Sequence, residues 1–269
     1  MDKYETLLQQ IIPIARKAGE IILSASEIEE HVHSKEGHGN FVTEYDEKVQ
    51  EYLLGELAKL LPEAHFVGEE EGKEVFLEEY KKGYTFVIDP IDGTSNFMKA
   101  YRPSVTSIAL LKDGKPFIGV IYNPYSDDLF YAERGKGAFR NGRQMFSSEA
   151  PLSESLVTMG TAPYYGSKVS RAAFEIGFYY LEKSIDIRRS GSACWDLCMV
   201  AAGVNGIFFE PRLCLWDYAA GACIVMEAGG RVTDFEGKDL SFDGKAPVIA
   251  AGRGVIKEDY LPPKELISF

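Results

Sequence analysis

Positive charge is scarce in this 269-residue chain: 29 lysines and arginines stand against 41 aspartates and glutamates, for a formal net charge of -12. A protein that grips a nucleic-acid backbone needs a basic face to displace counterions, so direct nucleic-acid binding is not expected. No apolar run approaches the ~20 residues that cross a bilayer, and Met1-Asp2-Lys3-Tyr4-Glu5 opens into an amphipathic segment without a cleavable-signal pattern. No membrane association and a cytoplasmic location are therefore expected. Cysteine is sparse too. Cys194, Cys198, Cys214 and Cys223 contain no CxxC pair, which predicts reduced, mostly buried thiols rather than disulfides or zinc ligands. Internal repeats and low-complexity linkers are also missing, and a hydrophobic fraction of 45% suits one compact unit with a large core.

What is present is a sharp change of chemistry in mid-chain. Tyr84-Thr85-Phe86-Val87-Ile88 reads as a buried strand, and it stops abruptly at Asp89-Pro90-Ile91-Asp92-Gly93-Thr94. Pro90 stiffens the turn that carries Asp89 and Asp92, so two carboxylates are held close together. Gly93 permits close backbone approach, and Thr94 or Ser95 can open a helix whose free N–H groups favour an anion. Alone, the turn reads more readily as capping or solvated acids than as a cation site. Carboxylates from other elements must decide.

Apolar residues from Leu7 to Ile22 recur at helical spacing, with Pro13 predicting a kink or a late start. The segment from His31 to Asn40 is polar and holds three of the four histidines, read as solvated, and Lys35, read as a surface lysine or as a flexible cation able to reach a phosphate. Thr43 precedes a second helix with Asp46 in its first turn, where an acid serves the helix dipole. Seven acids lie between Glu63 and Glu79 against Lys73 alone, and Glu69 and Glu70 stand out because they follow the short strand Ala64 to Gly68. After the central turn the period becomes two: Ser104–Leu111, Lys115–Tyr122 and Asp127–Glu133 predict an antiparallel sheet with hairpin turns at Asp113-Gly114 and Asn141-Gly142. Shorter strands and helices follow, with Glu210 ending one strand and Asp217 expected to cap a last helix of small residues.

The ordered motifs Asn40-Phe41-Val42-Thr43 with Asp46, Gly68-Glu69-Glu70, Asp89 through Phe97, Gly135-Lys136-Gly137-Ala138-Phe139 with Asn141-Gly142, Gly191-Ser192-Ala193 and Trp216-Asp217 resemble the inositol monophosphatase-like, Mg²⁺-dependent and often lithium-sensitive phosphatases over nearly the whole chain. The resemblance implies an α+β fold, a layered αβαβα sandwich, and a homodimer. It implies an N-terminal half, residues 1–140, with most metal ligands, and a C-terminal half, residues 141–269, with Asp217 and the substrate pocket. Glu69, Asp89 and the Ile91 carbonyl would hold one Mg²⁺; Asp89, Asp92 and Asp217 would hold a second; Glu69 would touch a third. Thr94, Asp46 and Glu70 would orient the attacking water, with Glu69 also counted among the catalytic acids. Gly93 and Thr94 amides would grip phosphate, while Ser192, Ala193, Glu210 and Asp217 would line the pocket for a polyol. The implied activity is hydrolysis of a phosphate monoester, foremost inositol 1-phosphate. Fructose 1,6-bisphosphate remains open through Lys99, Arg102 or Arg212, as does histidinol phosphate. A second class is also open, because one bacterial relative acts with the transcription machinery.

Overall fold

The computed structural model describes residues 3–71 and 78–267; Lys73 and Glu74 of the acidic run lie outside the described residues. Helix α1 (Lys3–Leu23) buries Leu7, Ile11, Ile14, Ala15, Ala18 and Ile22, the stripe its spacing predicts, and it runs through Pro13 with no late start. The polar segment after it is more ordered than its composition suggests, because β1 (Val32–Ser34) and β2 (Phe41–Thr43) pair as an antiparallel hairpin. Helix α2 (Glu44–Leu60) follows and buries Val49, Leu53 and Leu57.

The seven-stranded sheet runs in the spatial order β3 (His65–Gly68), β4 (Tyr84–Asp92), β5 (Val105–Lys112), β6 (Lys115–Asn123), β7 (Asp128–Glu133), β8 (Ala138–Arg140) and β9 (Arg143–Met145). Only β3 and β4 pair in parallel; the rest form the predicted meander. A five-stranded sheet follows, built from β10 (Leu156–Met159), β11 (Asp186–Arg188), β12 (Asn205–Leu213), β13 (Arg231–Thr233) and β14 (Ala246–Ala251), in the order β11-β10-β12-β14-β13. The short helix α3 (Thr94–Met98) follows β4, while α4 (Ser167–Leu181) lies between β10 and β11, α5 (Ala193–Ala201) between β11 and β12, and α6 (Leu215–Glu227) between β12 and β13.

Strand alternation shows how these pieces stack. In β4, Phe86 and Ile88 join the core formed with α1 and α2, whereas Val87 joins the core formed with α5 and α6. In β12, Phe208 faces that same α5/α6 core, while Ile207 and Phe209 pack with Ala173, Ile176 and Tyr180 of α4. The result is an α+β layered αβαβα sandwich: α1 and α2, the large sheet, α5 and α6, the small sheet, then α4. Strands packed on both faces explain the almost continuous apolar runs in β4 and β5.

Two details depart from the sequence reading. Strand β4 does not stop at Ile88; it continues to Asp92, with its register against β5 slipping between Asp89 and Asp92, and Thr106 Oγ1 donates to the Pro90 carbonyl at 2.9 Å. The acids therefore ride on an irregular strand end. Asp217 is not the helix cap either: Cys214 is, and Asp217 lies in the first turn, accepting the Cys214 N–H at 2.7 Å.

Candidate active site

Parallel pairing aligns Gly68 with Ile88, so Glu69, which follows β3, and Asp89, the next residue along β4, come side by side. A bulge later, Asp92 faces the start of α5, where Ser192 Oγ donates to its Oδ2 at 2.5 Å and the Cys194 N–H at 2.7 Å. Asp217 arrives from α6. These acids meet in one cleft, lined also by Ile91, Gly93, Thr94, Ser192, Ala193 and Glu210. The structure thus brings together every predicted metal and substrate residue. Asp46 and Glu70 stand at its edge: Thr94 Oγ1 donates to Asp46 Oδ1 at 3.3 Å and to the Ile91 carbonyl at 3.2 Å, and the Glu70 N–H donates to Gln50 Oε1 of α2 at 3.0 Å.

Gly93 packs against the loops that follow α3 and precede α5. Its φ of 92° is left-handed, and an added Cβ would meet the Pro103 carbonyl at 3.2 Å and the Gly191 carbonyl at 3.3 Å. Asn96, one turn on, donates to the Pro103 and Ser190 carbonyls at 2.7 and 2.9 Å, which fixes α3 against the loop that leads into α5.

The electrostatics of the cleft are those of a place built for cations. Burial, then the charges of Glu69, Asp92 and Asp217, push the Asp89 carboxyl well above the ordinary range, and burial with Glu69 and Asp92 does the same to Asp217. Burial raises Asp92 to about 6 against the pull of Ser192 and Cys194, and raises Asp46 to about 6 against the hydrogen bonds from Thr43. Glu70 rises to about 7 through burial and the neighbouring charge of Glu69. Asp89 Oδ1 is buried and has no hydrogen-bond partner among the described residues. Like charges and an unsatisfied oxygen gathered in one cleft fit a hard, oxygen-seeking divalent ion.

Some of the residues that matter were not legible as such. Lys35 is not a free surface lysine: its Nζ reaches Glu69 at 3.0 Å and Glu70 at 2.8 Å, a third-party cation between two acids. Although burial opposes it, those two carboxylates raise the ammonium's pKa. The polar segment that carries Lys35 gives no sign in sequence of this pairing. Removing this partner leaves two part-buried acids facing each other, so Lys35→Met is expected to destabilise the EDTA-treated protein by about 2 kcal/mol, between the surface and buried limits. Thermal melts with and without Mg²⁺ check this; Mg²⁺ should restore most of the loss.

Tyr165 and Arg189 were missed altogether. Both line the cleft; Tyr165 donates its hydroxyl to Glu210 Oε1 at 2.8 Å, and Arg189 donates to the Thr161 carbonyl at 2.6 Å. Conversely, the cations considered for a second phosphate lie outside the cleft lining. Lys99 pairs with exposed Glu29 at 2.5 Å, Arg102 stacks over the Tyr125 ring at 3.4 Å, and Arg212 is exposed.

The comparisons with known proteins agree with this geometry. The model of the inositol monophosphatase family matches residues 3–265. The chain belongs to the inositol monophosphatase family. It is therefore a phosphatase of this metal-dependent superfamily. An inositol-1-monophosphatase of Caulobacter vibrioides is 36% identical over 233 residues, covering 85% of this chain and 90% of that protein. The Nus factor SuhB of Escherichia coli K12 is 35% identical over 232 residues, 86% of each chain. Among solved structures, the extragenic suppressor protein SuhB of Bartonella henselae superposes with a TM-score of 0.82 at 34% identity, covering 93% of this chain and 95% of that one. Family membership also accounts for the layered fold. Among the described residues no helix is long and apolar enough to cross a membrane.

Proposed function

We propose that this phosphatase hydrolyses a polyol phosphate monoester of the inositol 1-phosphate type with Mg²⁺ held by Glu69, Asp89, the Ile91 carbonyl, Asp92 and Asp217. The observation that carries the reading is the meeting of those oxygens with Glu210 in one cleft. When bound, two or three such ions lower the pKa of a water and offset charge on the leaving ester oxygen. The chain's own groups do the rest. Thr94 and Asp46 form a hydrogen-bonded pair that orients the attacking water, and Glu70, raised to about 7 by burial and Glu69, is poised to accept its proton near neutrality. Amides of Gly93 and Thr94 hold the phosphate, and attack is in line, with no covalent phosphoenzyme. The free cysteines and the net charge of -12 suit a cytoplasmic enzyme without direct nucleic-acid contact, and the family resemblance adds a homodimer.

Glu210 reads the alcohol. Burial raises it to about 8 despite the Tyr165 hydroxyl, so near neutrality it holds a proton and can both donate to and accept from a substrate hydroxyl. It packs directly on Gly160, where an added Cβ would lie 1.9 Å from Glu210 Oε2. Gly160→Ala is accordingly expected to displace the carboxyl and raise KM for inositol 1-phosphate by about 2- to 10-fold, with the Mg²⁺ requirement unchanged, as for the loss of one neutral hydrogen bond. Initial rates across a substrate series check it.

Phosphate release from inositol 1-phosphate, fructose 1,6-bisphosphate, histidinol phosphate and 3'-phosphoadenosine 5'-phosphate, measured in parallel with Mg²⁺ and with EDTA, tests the assignment. Inositol phosphate should lead. A leading bisphosphate would move the second-phosphate role to Arg189, the arginine that lines the cleft. A second reading, a transcription-associated binding role, is favoured only by the similarity to the relative named Nus factor SuhB. Co-purification with RNA polymerase that survives Asp92→Asn would support it.

A further inference from the structure

The thiol of Cys194 has no part in the hydrolysis described, yet it sits beneath the acid cluster. One ligand atom each from Asp89, Asp92 and Cys194 lie within 4.8 Å of one another, and all three residues are buried. The first turn of α5 sets this position: the Cys194 N–H holds Asp92 Oδ2 at 2.7 Å, and its Sγ points to the Asp217 carbonyl at 3.2 Å. Asp89, 1% exposed, carries the sign of a missing ligand, because its Oδ1 lacks any partner among the described residues. A buried acceptor without a donor, beside a sulfur, is a different donor set from carboxylates alone. Oxygen ligands select Mg²⁺, whereas a thiolate shifts preference towards softer ions.

We propose that Asp89, Asp92 and Cys194 form a mixed oxygen and sulfur site that takes Zn²⁺ or Cd²⁺ in place of the hard cation. The proposal rests on the reading of Asp89 and Asp92 as cation ligands. Sulfur binds as the thiolate, and its proton leaves to water as the ion arrives. Zn–S and Zn–O contacts of about 2.3 and 2.0 Å put tetrahedral ligand atoms about 3.5 Å apart, so side-chain rotation of an ångström or so closes the site. Since Asp89 and Asp92 are shared, a soft ion seated here excludes the hydrolytic one. Zn²⁺ is then an inhibitor whose grip depends on Cys194.

X-ray absorption on the intact protein loaded with one equivalent of Zn²⁺ tests this without any substitution. The expected shell has one sulfur at about 2.3 Å together with oxygens. The sulfur should vanish in Cys194→Ala and Cys194→Ser and persist in Cys214→Ser, whose thiol lies near Asp217. The Zn²⁺ needed for half-inhibition should rise about tenfold or more in Cys194→Ala. A wild-type shell free of sulfur, or a sulfur that persists in Cys194→Ala, overturns the proposal. The hydrolytic reading fails separately, through turnover that ignores EDTA.

Discussion

Asp89→Asn should abolish turnover and, in EDTA, make the protein more stable. The substitution removes a carboxylate shared by both proposed cation positions, and a lost charge-stabilising centre is worth several kcal/mol of barrier, so kcat falls by about 10³ or more. The same side chain is buried among Glu69, Asp92 and Asp217, and its charge is disfavoured by burial and by all three. A neutral amide of equal size relieves that repulsion without opening a cavity. In metal-free buffer the melting temperature should rise by ~5 °C, as for a gain of one or two kcal/mol in a chain of this length. With saturating Mg²⁺ the order should reverse, because only the wild-type protein gains from binding. Calorimetry in both buffers, beside phosphate release, checks it. A variant that loses activity and stability together in EDTA would point to a structural carboxylate instead.

The second large effect is the response of the metal-free protein to pH. Asp46 and Asp92 titrate near 6, Glu70 near 7 and Glu210 near 8, each raised mainly by burial above its unfolded value. Between the unfolded and folded pKa values the folded chain holds more protons than the unfolded one. Stability in EDTA must therefore fall as pH rises from about 4 through about 8, by on the order of several kcal/mol in all. The cleft carboxylates repel one another more as each ionises. Mg²⁺ favours the ionised forms and should flatten or reverse the slope. Urea midpoints at intervals across this range, with and without Mg²⁺, give the slope directly. A metal-free midpoint that climbs towards pH 8 would mean that the acids are already neutralised by something else.

The layered fold was legible through the family resemblance, whereas single strands and the acids of the cleft rest on local chemistry. The apolar run of β4 announces a buried strand, and acids placed directly after it mark a candidate site. What sequence could not supply is distance between elements. Lys35 sits in a polar segment that reads as solvent-facing, and only the β1/β2 hairpin brings it to Glu69 and Glu70. Arg189 and Tyr165 carry no pattern of their own; the crossover from β10 through α4 to β11 delivers them to Glu210 and Thr161. The Lys99 and Arg102 side chains follow the central motif in sequence but turn to Glu29 and Tyr125. Cys194 was read as an ordinary buried thiol, and it is buried. Its closeness to Asp89 depends on the start of α5 meeting the bulge of β4, which no spacing records.

The central claim is that the acid cleft hydrolyses a phosphate ester only when it holds Mg²⁺. The most direct measurement titrates Mg²⁺ into EDTA-stripped protein and follows phosphate release from inositol 1-phosphate. The account predicts no release without the ion, and saturable recovery as it is added. Full-rate release in EDTA, or silence at every Mg²⁺ concentration, would contradict it.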